Sequence, residues 1–288
     1  MYGVALRITP EQLRAVAAHL YAELLAGGYT QVCEFHYLQH DQDGVPYADP
    51  GTLAWALADA AGEAGLGFML LPVLYERAGF AQPALRSDQR RFASDVATVL
   101  ALRDGVRALG LPHVSAGVAI HSLRAAAPES IHRLIERLGD DPGPIHIHVA
   151  EQVKEVDDCL AFSGLRPVEL LMREFDLSDR WTAIHATHMT PAETAALARS
   201  GAIAGLCPTT EANLGDGIFP AVEFMGQGGA IAIGSDSHIT VSPSEDLRML
   251  EYSQRLRDLT RNALAGGPGR STGRTLYDAA LKGGARSM

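Results

Sequence analysis

Residues 144–152 read Pro-Ile-His-Ile-His-Val-Ala-Glu-Gln, and they place two imidazoles and a carboxylate within six positions, His146, His148 and Glu151. On a β-strand, residues two apart project from the same face, so both histidines can reach one site. A neutral imidazole is a metal ligand and a nearby carboxylate is a proton carrier, which together suit metal-assisted hydrolysis. The competing reading is a buried histidine pair satisfied by backbone groups.

The neighbouring segments favour the chemical reading. Strand candidates are Thr30 to Tyr37, Gly67 to Tyr75, His113 to Leu123, Pro144 to Glu151, Trp181 to His188, Ala202 to Pro208 and Ala230 to Asp236. Most of them end in polar side chains: Glu34-Phe35-His36-Tyr37, His121-Ser122-Leu123-Arg124, His185-Ala186-Thr187-His188 and Ser235-Asp236-Ser237-His238. Burying ionisable groups is costly unless they are paired or bind metal, so this recurrence is hard to assign to packing. Histidine from one strand, histidine from the next and aspartate from the last form a nitrogen/oxygen set suited to zinc.

Helices must position these strands. Thr9-Pro10-Glu11-Gln12 combines an N-cap, a first-turn proline and a reciprocal glutamine, opening a helix that Gly27-Gly28 ends, and Thr190-Pro191-Ala192-Glu193 repeats the device. Further helices are expected at Thr52 to Ala64, Asp88 to Leu109, Pro128 to Leu138, Arg166 to Phe175, Pro191 to Ser200, Ala221 to Gly226 and Glu245 to Leu264, with a final short one after the glycine-rich Ala265 to Gly273 loop. Apolar strands alternating with helices predict an α/β fold with a parallel sheet, a TIM-type (β/α)8 barrel more than an open sheet. Seven strands are one short of that barrel. No GxGxxG or GxxxxGK[ST] fingerprint is present.

Composition bounds the function. The 288 residues are 47% hydrophobic and 20% charged, which is ordinary for a globular chain with a sizeable core. A net charge of -10 disfavours nucleic acid and acidic membranes as partners and favours a small-molecule substrate. Cys33, Cys159 and Cys207 are far apart and follow no thiolate-zinc spacing, which fits a cytoplasmic protein. No apolar run approaches the ~18 residues of a membrane span, and no signal segment opens the chain.

The series His-x-His-x-x-Glu, Ile-His and Gly-Ser-Asp-Ser-His resembles the metal-dependent deaminase branch of the amidohydrolase superfamily. Within it, Glu34 to Tyr37, His121 to Arg124 and Pro208 to Gly217 are similar to the formimidoylglutamate deiminases. The resemblance implies hydrolytic deamination of N-formimino-L-glutamate to N-formyl-L-glutamate and ammonia, in histidine degradation. It makes His148 a zinc ligand, and Asp236 both a ligand and the base that takes a proton from the attacking water. Glu151 becomes the shuttle to the leaving nitrogen, and His185 a hydrogen-bond partner of that water. Tyr37, His121 and Arg124 would hold the substrate carboxylates, since a guanidinium is a bidentate carboxylate partner. Arg124 could instead be a solvated turn residue and Tyr37 an aromatic at the barrel mouth. His146, His36, His40, His188 and His238 are expected to support or surround the site, and His19, His113 and His132 carry no functional expectation.

The family's first-strand His-x-His pair has no counterpart before Tyr37. The expectation is therefore one incomplete barrel domain over residues 1–288, lacking the first strand and the flanking β-sandwich, with weak or absent Zn2+ and impaired activity. Alternatives are a deaminase or chlorohydrolase of an aminopurine, pyrimidine or triazine, or a non-catalytic remnant. Members of the superfamily often form dimers, so a homodimer is allowed.

Overall fold

The computed structural model describes residues 2–288 and divides into two units, one running through Ile145 with Met288, the other His146–Ser287. In the first unit the order is α1 (Tyr2–Ala5), α2 (Pro10–Gly27), β1 (Gln31–His36), α3 (Thr52–Ala64), β2 (Gly67–Leu74), a 3-10 turn (Ser87–Phe92), α4 (Val96–Ala108), β3 (Val114–Ala116), β4 (Val118–Ser122) and α5 (Pro128–Leu138). Strand β2 is central and pairs in parallel with β1, β3 and β4. The second unit continues β5 (Ile145–Val149), α6 (Val153–Ser163), α7 (Pro167–Glu174), β6 (Trp181–His185), α8 (Pro191–Ser200), β7 (Ile203–Leu206), α9 (Pro208–Leu214), α10 (Ala221–Gly226), β8 (Ala230–Ile233), α11 (Pro243–Asp258) and α12 (Thr272–Arg286). Here β6, β7 and β8 are parallel neighbours, and the amides of Ala186 and His188 donate to Val149 and Ala150, tying the end of β5 to β6.

The helix starts follow the sequence. Thr9 and Thr190 both form complete capping boxes, and Gly28 closes α2 at a φ of 111°. The expected helix Asp88 to Leu109 is instead split, because Ser94 is pinned to β2: its hydroxyl donates to Val73 O at 2.7 Å and accepts from Tyr75 N at 2.8 Å. Asp95 then caps α4 through Thr98 N. The third expected strand also splits, at Gly117. Strand β3 pairs with Phe68 to Leu70, Gly117 N still donates to Leu70 O at 3.2 Å, and β4 resumes its pairing at Val73. A Cβ at Gly117 would lie 2.7 Å from Pro144 O, which keeps the crossing residue a glycine.

Other boundaries shift for local reasons. Helix α11 stops at Asp258 rather than Leu264, because the Glu251 carboxylate accepts both Ala263 N and Leu264 N at 2.9 Å and draws that segment back. The last helix is long, fifteen residues. Helices α1, α6 and α9 stand where none was expected.

Helix α12 packs on β8 at glycine distance. A Cβ at Gly283 would sit 1.8 Å from Ile231 O, whereas one at the adjacent Gly284 would meet nothing within 4 Å. Replacing Gly283 with Ala should therefore destabilise the chain by about 3 kcal/mol or more, while Gly284→Ala should be neutral or stabilising by up to about 1 kcal/mol. Urea unfolding of the pair checks this, and equal effects would contradict the close packing.

Candidate active site

In the first unit the sheet delivers an aromatic cluster. Tyr37, just past β1, lies 5.6 Å from the ring of His121 and near Phe35 and Phe92. Tyr75 meets His121 edge-on at 4.5 Å, and its hydroxyl accepts from Gln89 Nε2 at 2.9 Å. Burial, and then the charge of Arg124, push the His121 imidazole down to about 3, so it is neutral near pH 7. The main chain that carries Arg124 is fixed from behind: the Arg77 guanidinium donates to Leu123 O at 2.7 Å and to Arg124 O at 3.1 Å. Tyr37, His121 and Arg124 thus belong to one unit, and Tyr37 and His121 share one cluster within it. A neutral imidazole, a phenol and a cation are the groups that receive a carboxylate.

The second unit gathers charge instead. Strand β5 presents His148, whose ring stacks on that of His185 with centroids 5.6 Å apart. His185 is 1% exposed; its Nδ1 faces Glu211 Oε1 at 3.2 Å and its Nε2 lies 3.8 Å from Glu151 Oε1. Burial opposes the charged form of His185, but the Glu211 hydrogen bond and the charges of Glu151, Glu211 and Asp236 outweigh it, so its pKa is raised. Burial, followed by Asp236, Glu211, Asp246 and Glu151, holds Cys207 as a thiol.

The backbone at this cluster is unusual. Six non-glycine residues among those described have positive φ, and four of them end strands here: Ala150 after β5, His185 and Ala186 at β6, and Asp236 after β8. L-residues enter this region at a cost of roughly 1–2 kcal/mol each, and such strain concentrates at functional sites. It also corrects the strand limits. The reversals end β5 and β6 early and β8 stops at Ile233, so Glu151, His188 and Asp236 stand in loops beyond β5, β6 and β8.

The Amidohydrolase family model matches residues 3–280. The chain belongs to the amidohydrolase family. It is 52% identical to formimidoylglutamate deiminase of Pseudomonas aeruginosa over 289 aligned residues, which cover all of this chain and 64% of that protein. It is 30% identical to 8-oxoguanine deaminase of the same organism, covering 89% of this chain and 57% of the relative. Among solved structures, an amidohydrolase from Brucella melitensis superposes at a TM-score of 0.96 with 51% identity, over all of this chain and 64% of that one. An adenosine deaminase from Xanthomonas campestris, solved with bound zinc, gives 0.77 at 25% identity over 99% of this chain and 58% of its own. The chain thus spans less than two thirds of the length of these relatives. The α/β, TIM-type fold class read from the sequence is the fold of this amidohydrolase family.

Two residues of this amidohydrolase cluster escaped the sequence reading as site residues, Cys207 and Glu211. With His185 they place one potential ligand atom each within 4.8 Å of one another. Among the described residues, His148 and Asp236 join no group of three donors that close. The signal for Glu211 was present in the Pro208 to Gly217 run, whose consecutive side chains anchor three elements. Thr209 Oγ1 donates to the buried Asp246 at 2.7 Å, Thr210 Oγ1 donates to Ser235 O at 2.9 Å, and Glu211 holds His185. The other histidines support the framework. His146 Nε2 donates to Ser287 O at 2.8 Å, His188 Nε2 donates to Asp216 O at 2.6 Å, and His238 Nδ1 accepts from Thr240 N at 3.0 Å.

Buried neutral histidines set the acid limit. Burial pushes His36 and His146 down to about 4, and His121 stands at about 3, against an ordinary 6.5. Their stabilising effect is complete above 6.5 and is lost as pH falls toward those values, because the unfolded chain takes up the protons first. The melting temperature should fall from pH 6.5 toward pH 4. Among the described residues His36 Nε2 has no hydrogen-bond partner, so His36→Leu should flatten that slope; an unchanged slope would contradict the assignment.

Proposed function

We propose that the chain carries the hydrolytic deamination of N-formimino-L-glutamate, giving N-formyl-L-glutamate and ammonia. One observation carries this reading: a cluster of imidazoles and carboxylates on strained strand ends, in a chain 52% identical throughout to a formimidoylglutamate deiminase. The second unit's groups do the chemistry. Asp236 takes a proton from the attacking water, His185 orients that water by a hydrogen bond, and Glu151 delivers the proton to the departing nitrogen. Water oxygen adds to the formimino carbon, the carbon–nitrogen bond breaks, and the nitrogen leaves as ammonia. Tyr37, His121 and Arg124 receive the glutamate carboxylates.

The donor set fits zinc. Imidazole and carboxylate are its nitrogen and oxygen ligands, and three carboxylates acting on one buried histidine make a negative environment that a divalent cation would neutralise. His148 and Asp236 would hold the ion. When bound, zinc lowers the pKa of water toward neutrality and polarises the carbon under attack. Two protein ligands hold zinc more weakly than the four of a closed site, so elemental analysis of the purified 288-residue chain should find less than stoichiometric metal. Tightly held stoichiometric zinc would contradict this expectation.

A second reading is deamination of a heterocycle, which the 30% identity to 8-oxoguanine deaminase favours. Ammonia release measured on N-formimino-L-glutamate, an aminopurine and a triazine in zinc-supplemented buffer separates the two. Arg124→Met should lower catalytic efficiency on the diacid by roughly 100-fold, the loss of one charged hydrogen-bonded pair. Turnover of the purine or triazine in preference to the diacid would overturn the substrate assignment.

A further inference from the structure

We infer that Glu211 is a positioning residue that fixes the tautomer and the orientation of His185, so that Nε2 becomes its working nitrogen. The consequence for catalysis rests on the deiminase reading; the tautomer itself does not.

Glu211 stands in the first turn of α9 and is 3% exposed. Its Oε1 accepts from Cys207 N at 3.0 Å and faces His185 Nδ1 at 3.2 Å. An ionised carboxylate has no hydrogen to give, so the proton of that contact must sit on Nδ1. The opposite tautomer would set a nitrogen lone pair against a carboxylate oxygen in a buried site, where unmatched polar groups are most costly. With Nδ1–H committed to Glu211, Nε2 is turned toward Glu151, 3.8 Å away. That gap is too long for a direct hydrogen bond. Glu151 is placed in turn, since its amide donates to Glu155 Oε2 at 3.1 Å.

The carboxylate is itself held from two sides. The Glu211 amide donates to Cys207 O, the Cys207 amide returns to Glu211 Oε1, and the adjacent Thr209 and Thr210 hydroxyls lock α9 to Asp246 and Ser235. His185 is the last residue of β6 and holds a φ of 66° there. Glu211 therefore acts as a fixed acceptor on a rigid frame, the arrangement by which an outer carboxylate selects one imidazole nitrogen for chemistry.

Histidine-selective nitrogen-15 labelling of the full chain tests this, with the His185 signals identified by their loss in His185→Gln. In alkaline buffer the wild type should carry the His185 proton on Nδ1. Glu211→Gln, which keeps an acceptor oxygen, should retain that pattern, and Glu211→Ala should shift it toward Nε2–H. On N-formimino-L-glutamate, Glu211→Ala should lose about 10- to 100-fold in kcat with KM little changed, and Glu211→Gln should recover part of it. An Nε2–H tautomer in the wild type would overturn the inference, as would a Glu211→Ala spectrum identical to wild type. The wild-type spectrum decides even where Glu211→Ala fails to fold. Absence of ammonia release with the Nδ1–H tautomer in place would sink the deiminase reading alone.

Discussion

The strained backbone at the ends of β5, β6 and β8 is the constraint from which the rest of the second unit follows. Ala150, His185, Ala186 and Asp236 all occupy the left-handed region, and none is glycine. Such conformations persist only where surrounding bonds over-determine them. Here they do: Ala186 N donates to Val149 O and Ile184 O, His188 N to Ala150 O and Gly234 N to Leu206 O. The reversals at Ala150 and at His185–Ala186 close the β5 and β6 ladders. Backbone strain thus accompanies a chemical grouping, because the charges of Glu151, Glu211 and Asp236 act on the buried His185.

The two units differ in the kind of selectivity they can supply. The first offers aromatic faces, a neutral imidazole and the Arg124 cation, groups suited to recognising a carboxylate-bearing molecule. The second offers paired imidazoles among carboxylates, groups suited to moving protons and holding a cation.

Much of this was legible before any coordinates. Period and capping boxes placed α2, α3, α5, α8 and α10, and the polar strand ends pointed to His148, Glu151, His185 and Asp236. What could not be read depended on contacts distant in sequence. The break at Gly117 falls where the chain passes Pro144 O, twenty-seven positions later. The break before α4 follows from the grip of Ser94 on β2. Glu211 was given no role within the Pro208 to Gly217 run, because its partner lies 26 residues away and only folding buries the pair. Strand ends were read too long because alanine carries no sequence mark of a left-handed turn, as a glycine would have done.

The proposed function separates chemistry, in the charged cluster, from substrate recognition by other residues. Glu151→Gln tests it most directly, with binding of N-formimino-L-glutamate by calorimetry and ammonia release measured on the same zinc-supplemented preparation. Affinity should stay close to that of the wild type and ammonia release should fall by about 100- to 10,000-fold, the range for loss of a general acid–base. Ammonia release at the wild-type rate from that variant would contradict it.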